Sequence, residues 1–384
     1  MKKTVFRILS YVLVALVAAS TTCVCFLYAQ KNDTGKLEEL ENLLLQCYIG
    51  EADQNAMENA AASAMVNALD DRWSYYLTAE QYQSYQDTMS NSYVGVGITI
   101  QVREDRQGFD IVSVVSGGPA EEAGLMAGDR LTAIDGTTTV DMELSATSGM
   151  IRGEEGTTVK LTVDRAGERL EFTVTRKKFQ TPVATYEMLE GNIGLIAIEN
   201  FDDRCADETI AAIETLKAQG ASALIFDVRN NPGGYKHELV EVLDYLLPEG
   251  PLFRAEDYQG KENVDYSDAD YLDMPMAVLV NLSSYSAAEF FAAALDEYDA
   301  AVIVGERTFG KGYFQSTFLL SDGSAVNLSV GKYYTPNGNS LAGVGLMPEV
   351  EVTVDEATAA AIAAGTLEPE EDPQIIAAVQ ALMK

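Results

Sequence analysis

The chain has 384 residues, 47% of them hydrophobic, which is enough for two or three domains that each have their own core. Acidic residues outnumber basic ones 59 to 26, so the formal net charge is -33 at pH 7. Such a charge repels nucleic-acid phosphates, and the composition therefore excludes nucleic acid as a partner.

The N-terminal segment, residues 1–30, predicts a membrane anchor. Three cations, Lys2, Lys3 and Arg7, precede an uncharged run of 23 residues from Ile8 to Gln30 that can span a bilayer. The positive charge before the run places the N-terminus in the cytoplasm and the remaining chain outside it, as a single-pass protein. The alternative is a secreted protein whose signal peptide is cleaved near residues 17–19.

Residues 31–90 are predicted to form an N-terminal helical region. Apolar residues recur on one helical face between residues 37 and 68, whereas the tyrosine-rich stretch 72–85 indicates no more than another helical turn or two. Two cysteines, Cys47 and Cys205, lie outside the apolar N-terminal run, and their spacing matches no zinc or redox motif. We expect two buried thiols there, with a single disulfide as the alternative.

Residues 91–178 predict a small β-rich domain. Apolar residues alternate with small or polar ones from residue 94 to 102, which is the two-residue period of a half-buried strand. Further strands are expected at residues 109–115 and 131–134, a helix at 142–151, and a hairpin whose strands are 159–163 and 170–174.

Residues 179–367 predict an α/β domain with a mostly parallel sheet, because apolar strands alternate with helices. The strands are expected at 193–198, 223–228, 276–281 and 302–305, and the helices at 207–219 and 287–297. Functional residues in such sheets usually lie beyond the carboxyl ends of the strands. Apolar residues at helical spacing predict a last helix within residues 368–384.

Ser286 lies where a predicted strand gives way to a helix. The unpaired N–H groups and the helix dipole at that end favour an oxyanion beside its hydroxyl group, as a serine nucleophile requires. The alternative is a serine that only caps the helix.

Lys311 lies between Gly310 and Gly312, soon after another apolar strand. If the side chain is buried, desolvation lowers the pKa of its amine, which then accepts a proton from a serine. Gln315 lies four residues on and is placed to orient that amine. An exposed loop cation and a surface amide are the alternatives for the two residues.

Other residues bear on the choice of mechanism. The single histidine, His237, lies at the start of a predicted helix, where exposure argues against a Ser-His-Asp enzyme. Without a histidine pair, zinc proteolysis is disfavoured as well. The loop 230–234 contains Gly233 and Gly234 and is either a second source of oxyanion N–H groups or a plain strand-to-helix turn.

The order of several motifs resembles the carboxy-terminal processing, or tail-specific, peptidases, a family of serine proteases with an inserted PDZ domain. The similarity runs from about residue 38 to the end of the chain. The segments that carry it are residues 69–78, 94–97, 124–129, 151–157, 227–234, 284–289, 304–312 and 333–338.

This resemblance implies an α/β peptidase core with the sheet and helices of the crotonase/ClpP-like type, an inserted PDZ domain and an N-terminal transmembrane helix. It assigns Ser286 as nucleophile, Lys311 as base and Gln315 as the third member of a triad. Backbone N–H groups of Ala287 and of Gly233 or Gly234 would form the oxyanion hole. The implied reaction is acyl transfer through an acyl-enzyme, with neither metal nor cofactor.

The resemblance also implies a peptide-binding site. The segment Val94, Gly95, Val96, Gly97 and Ile98 is similar to the PDZ loop and strand that bind a terminal carboxylate. The expected partners are polypeptides with free C-termini, the membrane, and a second copy of the chain joined through the terminal helices. The alternative is a PDZ scaffold that holds peptide tails and has lost peptidase activity.

Overall fold

The computed structural model describes residues 35–103, 105–115 and 117–383. In these ranges, no helix combines the length and the apolar character needed to cross a membrane. The predicted anchor, residues 1–30, lies outside the described residues. The anchor, and the location outside the cytoplasm inferred from it, stay predictions of the sequence. The chain divides after Thr78 into two compact units.

The first unit contains helices α1 (Lys36–Cys47) and α2 (Gln54–Asn67) and the short strand β1 (Tyr75–Leu77). The helical pattern expected from residue 37 to 68 is interrupted because Tyr48 adopts an extended conformation. Helix α2 then begins after Asp53, whose carboxylate accepts a hydrogen bond from the Ala56 amide. In the stretch 72–85, residues Tyr75–Leu77 form a strand, which the tyrosines favour, and the expected helical turns occur from Ala79 in the helix Ala79–Met89.

The two cysteines are free thiols in the structure. Cys205 is buried as expected, whereas Cys47 is exposed at the end of α1, so the prediction of two buried thiols is wrong for Cys47.

The second unit begins with a helix and the β-rich domain. Its elements are α3 (Ala79–Met89), β2 (Ser92–Gly95), β3 (Ile98–Val102), β4 (Phe109–Val114), α4 (Pro119–Ala123), β5 (Arg130–Ile134), β6 (Thr137–Thr138), α5 (Leu144–Ile151), β7 (Thr158–Arg165), β8 (Glu168–Thr175) and β9 (Lys177–Gln180). The antiparallel sheet has the order β3-β4-β5-β7-β8, with β6 beside β5. The predicted strand 94–102 is divided at Gly97, whose φ of 77° ends one strand, so β2 pairs with β9 and β3 with β4.

A buried ion pair joins two parts of this domain. Asp129, with a side chain only 1% exposed, accepts hydrogen bonds from the Arg165 guanidinium at 2.6 and 2.7 Å and from the Met126 amide at 3.0 Å. Burial acts to raise the pKa of Asp129, but the hydrogen bonds from Arg165 and Met126 outweigh it and hold the pKa below its ordinary value.

We expect Asp129→Asn to destabilise this domain by about 3 kcal/mol, because the replacement leaves the guanidinium without its anion. Because the folded-state pKa of Asp129 is lowered, its contribution is complete above the unfolded pKa of about 3.9 and is lost as the pH falls below that value. Amide hydrogen exchange in β7 and β8 measures both effects. The control is Glu171→Gln in the exposed pair with Lys160, expected to cost much less than Asp129→Asn, and equal costs would contradict the prediction.

The α/β domain follows the β-rich domain. Its elements are β10 (Ala184–Leu189), β11 (Ile193–Ile198), α6 (Cys205–Ala218), β12 (Ala223–Asp227), α7 (Lys236–Leu246), β13 (Gly250–Asp257), β14 (Glu262–Ser267), β15 (Met276–Val280), α8 (Ala287–Glu297), β16 (Ala301–Gly305), β17 (Tyr313–Leu319), β18 (Ala325–Tyr334), β19 (Val350–Glu351), α9 (Glu356–Ala363) and α10 (Pro373–Leu382). The main sheet has the order β10-β11-β12-β15-β16-β19, and all neighbours except β10 and β11 run parallel.

Both faces of the parallel sheet are covered, which explains its continuous apolar strands. Phe226 and Val278 belong to the core formed with α6, α7 and α8, whereas Ile225 and Leu279 belong to the opposite core. Helix α10 buries Ile375 in that second core. The C-terminal helix therefore packs onto its own domain, and a homodimer stays a prediction.

A second antiparallel sheet, absent from the sequence prediction, contains β14, β13, β18 and β17 in that order. Its strand β18 carries Tyr333, which is buried in the core shared with α8. The second sheet therefore packs against helix α8.

Candidate active site

The predicted catalytic segments follow the carboxyl ends of three neighbouring parallel strands. The loop 228–235 follows β12, the loop 281–286 follows β15, and the loop 306–312 follows β16. Backbone hydrogen bonds tie the loops together, from the Tyr285 amide to the Asn231 carbonyl and from the Phe309 amide to the Ser284 carbonyl. The fold thus gathers at one sheet edge three segments that are far apart in sequence.

Ser286 occupies a strained turn between β15 and α8. It is the residue before the helix, it is 8% exposed, and its φ of 60° and ψ of -127° are rarely adopted by a residue with a side chain. A Cβ added to Gly233 would lie 2.6 Å from the Ser286 Cβ, so only glycine fits there. The strain and the close backbone contact hold Ser286 at a fixed position.

The hydroxyl group of Ser286 has a partner on the second sheet. The Tyr333 hydroxyl donates a hydrogen bond to Ser286 Oγ at 3.2 Å. Tyr333 is 4% exposed and packs edge-on against Phe290, with 4.5 Å between ring centroids. Burial raises the pKa of Tyr333 far above its ordinary value, so its hydroxyl stays protonated and can donate.

The buried carboxylate of Glu289 joins Ser286 to the loop that carries Lys311. One oxygen accepts hydrogen bonds from the Ser286 amide at 3.1 Å and from the Lys311 amide at 2.9 Å. The other accepts from the Thr308 hydroxyl and from the Gly310 amide at 2.6 Å. Burial raises the pKa of Glu289, and these four hydrogen bonds act in the opposite direction.

Lys311 is half-buried in a loop that only glycines can form. A Cβ on Gly310, whose φ is 89°, would lie 2.9 Å from the Gly345 amide nitrogen, and one on Gly312 would lie 2.3 Å from the Ala342 Cβ. The two glycines let the loop pack against residues 341–345, which fixes the backbone of Lys311. Its role as the base stays a prediction.

Gln315 lies at the start of β17. Its amide nitrogen donates to the Tyr313 carbonyl and to the Ser329 hydroxyl, each at 3.1 Å. These bonds orient the side chain along β17 and β18, and its place in a triad stays a prediction.

The predicted oxyanion donors differ in their present partners. The Gly233 amide already donates to Asn231 Oδ1 at 2.8 Å, and buried Asn231 in turn donates to the Ile198 carbonyl. A Cβ on Gly234 would lie 2.2 Å from the Phe201 backbone, which explains the second glycine. Ala287 is the first residue of α8, so its amide has no acceptor within the helix. The Gly233 amide is therefore engaged, whereas the amides of Gly234 and Ala287 have no backbone acceptor among the described residues.

His237 lies on the first turn of α7 with its side chain 66% exposed, as expected for a residue that is not the base. Its ring stacks on Tyr235, and its Nε2 lies 3.6 Å from the Glu238 carboxylate. The sequence analysis assigned no role to Glu289, Tyr333 or Asn231. The spacing of Ser286 and Glu289, that of a helix capping box, is the signal that points to Glu289.

The comparisons with known proteins agree with this architecture. The model of peptidase family S41 matches residues 192–352, and a PDZ domain model matches residues 111–165. A probable CtpA-like serine protease from Staphylococcus aureus is 31% identical over 351 residues, which cover 88% of this chain and 70% of that protein. The carboxy-terminal processing protease CtpA of Bacillus subtilis is 33% identical, with 84% and 69% covered. A carboxyl-terminal-processing protease of Synechocystis is 35% identical, with 80% and 74% covered.

Two solved structures are similar to this chain in fold. A photosystem II D1 C-terminal processing protease is 29% identical, with a TM-score of 0.50 over 82% of this chain and 86% of the other. A putative S41 protease from Bacteroides fragilis, with a TM-score of 0.60 over 89% and 96%, is 17% identical and shows the fold alone. The family resemblance read from the motifs is confirmed, and the chain belongs to the carboxy-terminal processing peptidases of family S41, which makes it a serine-type protease.

Proposed function

We propose that this protease cleaves peptide bonds through an acyl-enzyme formed on Ser286, with Lys311 as the general base. The observation that carries the proposal is the Glu289 carboxylate, which binds the amides of both residues and so couples their backbones. A nucleophile and its base must be held within hydrogen-bonding reach of each other, and one shared buried acceptor supports that geometry.

In the proposed reaction the neutral amine of Lys311 accepts the hydroxyl proton of Ser286 while Oγ attacks the substrate carbonyl. The proposed step requires the neutral form of the amine, and Gln315 would orient the lysine side chain. In the resting state the Tyr333 hydroxyl donates a hydrogen bond to Ser286 Oγ. When Oγ forms its bond to the substrate carbon, Tyr333 either loses this hydrogen bond or moves together with Oγ.

Charge on the carbonyl oxygen would be stabilised by the Ala287 amide at the start of α8 and by the Gly234 amide. The helix dipole adds to this stabilisation at the same end. The Gly233 amide joins this hole only by giving up its bond to Asn231. Protonated Lys311 then donates a proton to the leaving amine, and water hydrolyses the acyl-enzyme.

We also propose that the PDZ domain binds the C-terminal tail of the substrate. The strand β3, which begins at Ile98, is the terminal strand of its sheet, so a peptide can add to its edge. The preceding amides of Val96 and Gly97 have no acceptor among the residues that the structure describes. Both groups suit a terminal carboxylate, while Val94 and Gly95 lie in β2 and position the loop.

Peptides with a free or an amidated C-terminus test the proposal. We expect an unstructured peptide with a free C-terminus to be cleaved, and amidation to raise KM about 10-fold to 100-fold, since charge-assisted hydrogen bonds contribute about 1.5–3 kcal/mol. Acetylation of the N-terminus removes a charge at the other end and serves as the matched control. Equal KM values for the free and amidated peptides would contradict the proposed binding of the C-terminal carboxylate by the PDZ domain. If neither peptide is cleaved, the proposed function as a whole is contradicted.

A further inference from the structure

A cluster of acidic groups and the single histidine lies beside the Gly233–Gly234 loop and takes no part in the proposed catalysis. The connection from β11 to α6 runs next to this loop, because the Phe201 amide donates to the Gly233 carbonyl at 2.8 Å and the Tyr235 amide to the Phe201 carbonyl at 2.7 Å. Asp202 and Asp203 lie on that connection, and His237 and Glu238 lie on the first turn of α7. Two separate chain segments therefore present titratable side chains at one place.

Three of these side chains have the arrangement of metal ligands. Single ligand atoms of Asp203, His237 and Glu238 all lie within 4.8 Å of one another, and His237 Nε2 is 3.6 Å from Glu238 Oε1. The edges of a tetrahedral zinc site measure about 3.3 Å when the ligand bonds are about 2.0 Å, so small side-chain rotations complete the geometry. Asp203 and His237 are exposed and free to make such rotations.

Glu238 is the fixed member of the group. Its carboxylate accepts hydrogen bonds from the Ala206 amide at 2.7 Å and from the Arg204 amide at 3.1 Å. A carboxylate has about four acceptor positions, so two remain for a cation. The backbone donors thus orient this oxygen ligand in advance, as second-shell groups do in metal sites.

A fourth acid, Asp202, adds to the negative charge at this place. Asp202 is only 7% exposed, and its carboxyl group makes no hydrogen bond to any residue in the described ranges. The charged groups that act on this carboxyl group, Asp203 and Glu238, are further acids.

No lysine or arginine of the described residues forms an ion pair with Asp202, Asp203 or Glu238. The adjacent cations are committed elsewhere, since Arg204 binds Glu208 and the Thr181 carbonyl, and Lys236 binds Asp265. Within the described residues, these acids therefore have no lysine or arginine in an ion pair with them, and a bound cation would supply positive charge there.

We propose that Asp203, His237 and Glu238 bind a divalent cation of the zinc class. One imidazole and two carboxylates suit Zn²⁺ better than Mg²⁺ or Ca²⁺, which prefer oxygen ligands alone. The cation would cross-link the β11–α6 connection to the first turn of α7, on either side of the Gly233–Gly234 loop. Its binding does not depend on the proposed catalytic mechanism.

Titration with ZnCl₂ in the Ser286→Ala background tests the site without catalysis. We expect the full chain, in detergent and without a histidine tag, to bind Zn²⁺ in a saturable calorimetric titration and MgCl₂ to give no such binding. We expect Zn²⁺ to raise the midpoint of thermal unfolding by about 2 °C or more. His237→Ala and Asp203→Asn should each weaken the affinity about 10-fold to 100-fold and remove the rise.

Two variants serve as controls for the same titration. Asp270→Asn removes one exposed acid remote in sequence from the cluster, and Cys47→Ser removes the exposed thiol that could bind zinc by itself. Unchanged binding in both supports the site. The proposal is overturned if Zn²⁺ does not bind, if His237→Ala binds as tightly as its parent, if Cys47→Ser abolishes binding, or if Mg²⁺ binds equally well.

Discussion

Replacement of Ser286 by alanine is expected to lower kcat/KM for peptide cleavage by about 10⁴-fold or more, the effect typical of losing a serine nucleophile. The backbone of Ser286 is held by the Glu289 carboxylate, and its Oγ is the atom placed beside the helix N-terminus. Without that oxygen no acyl-enzyme can form. The exposed neighbour Ser283 provides the matched control, because Ser283→Ala removes the same atom from the same loop.

Lys311→Ala is expected to cause a loss of similar size, and the double variant with Ser286→Ala should lose no more than either single variant, because residues that act as a unit are not additive. Lys311→Arg should also be inactive, since a guanidinium keeps its proton at all relevant pH values. Lys332→Ala, in the exposed part of β18, controls for the loss of a positive charge.

These variants separate a Ser-Lys enzyme from a Ser-His-Asp enzyme. His237→Ala should cleave the peptide at the parental rate, because the histidine side chain is exposed and contacts Tyr235 and Glu238. Peptide cleavage is followed by mass spectrometry under identical conditions for every variant. Activity that survives Lys311→Ala, or disappears in His237→Ala, would contradict the assignment of the base.

The parallel strands and the position of Ser286 follow from the sequence because both are local patterns. The continuous apolar run of β15 can be buried on two faces, and the change to helical periodicity at Ala287 places Ser286 at the junction. The second sheet was not predicted because it depends on strand pairing and not on a local pattern. Its strand β14 is Glu262–Ser267, a polar segment that becomes a strand by pairing with β13.

The contacts between the predicted catalytic segments could not be predicted from the sequence either. The bond from the Lys311 amide to Glu289 joins residues 22 positions apart, and the bond from Tyr333 to Ser286 joins residues 47 positions apart. Both depend on how distant segments pack around buried polar groups, and the spacing of apolar residues along the sequence carries no information about that packing. The same holds for Gly97, where one glycine with positive φ divides a regular alternating pattern into two strands.

Glu289→Gln is expected to lower kcat about 10²-fold while leaving KM nearly unchanged, because a displacement of about 1 Å between catalytic groups costs that much. Each oxygen of the Glu289 carboxylate accepts two hydrogen bonds. Three of the four donors are backbone amides and the fourth is the Thr308 hydroxyl. The amide of glutamine replaces one acceptor with a donor, so two of these bonds are lost and the lysine loop moves relative to Ser286. We therefore predict that Glu289 is a positioning residue that acts through Ser286 and Lys311.

A loss of stability alone would not produce this pattern, and Glu297 allows the distinction. Its carboxylate, at the other end of α8, accepts hydrogen bonds from Thr335, Asn337 and Asn339 at 2.6 to 2.7 Å. Glu297→Gln should lower the unfolding midpoint by an amount similar to Glu289→Gln and leave kcat intact. The pH profile of kcat should also change in Glu289→Gln, because the surroundings of the Lys311 amine change with its backbone. Parallel losses of stability and kcat in both variants, with unchanged pH profiles, would reduce Glu289 to a packing role and remove the link on which the coupling of nucleophile and base depends.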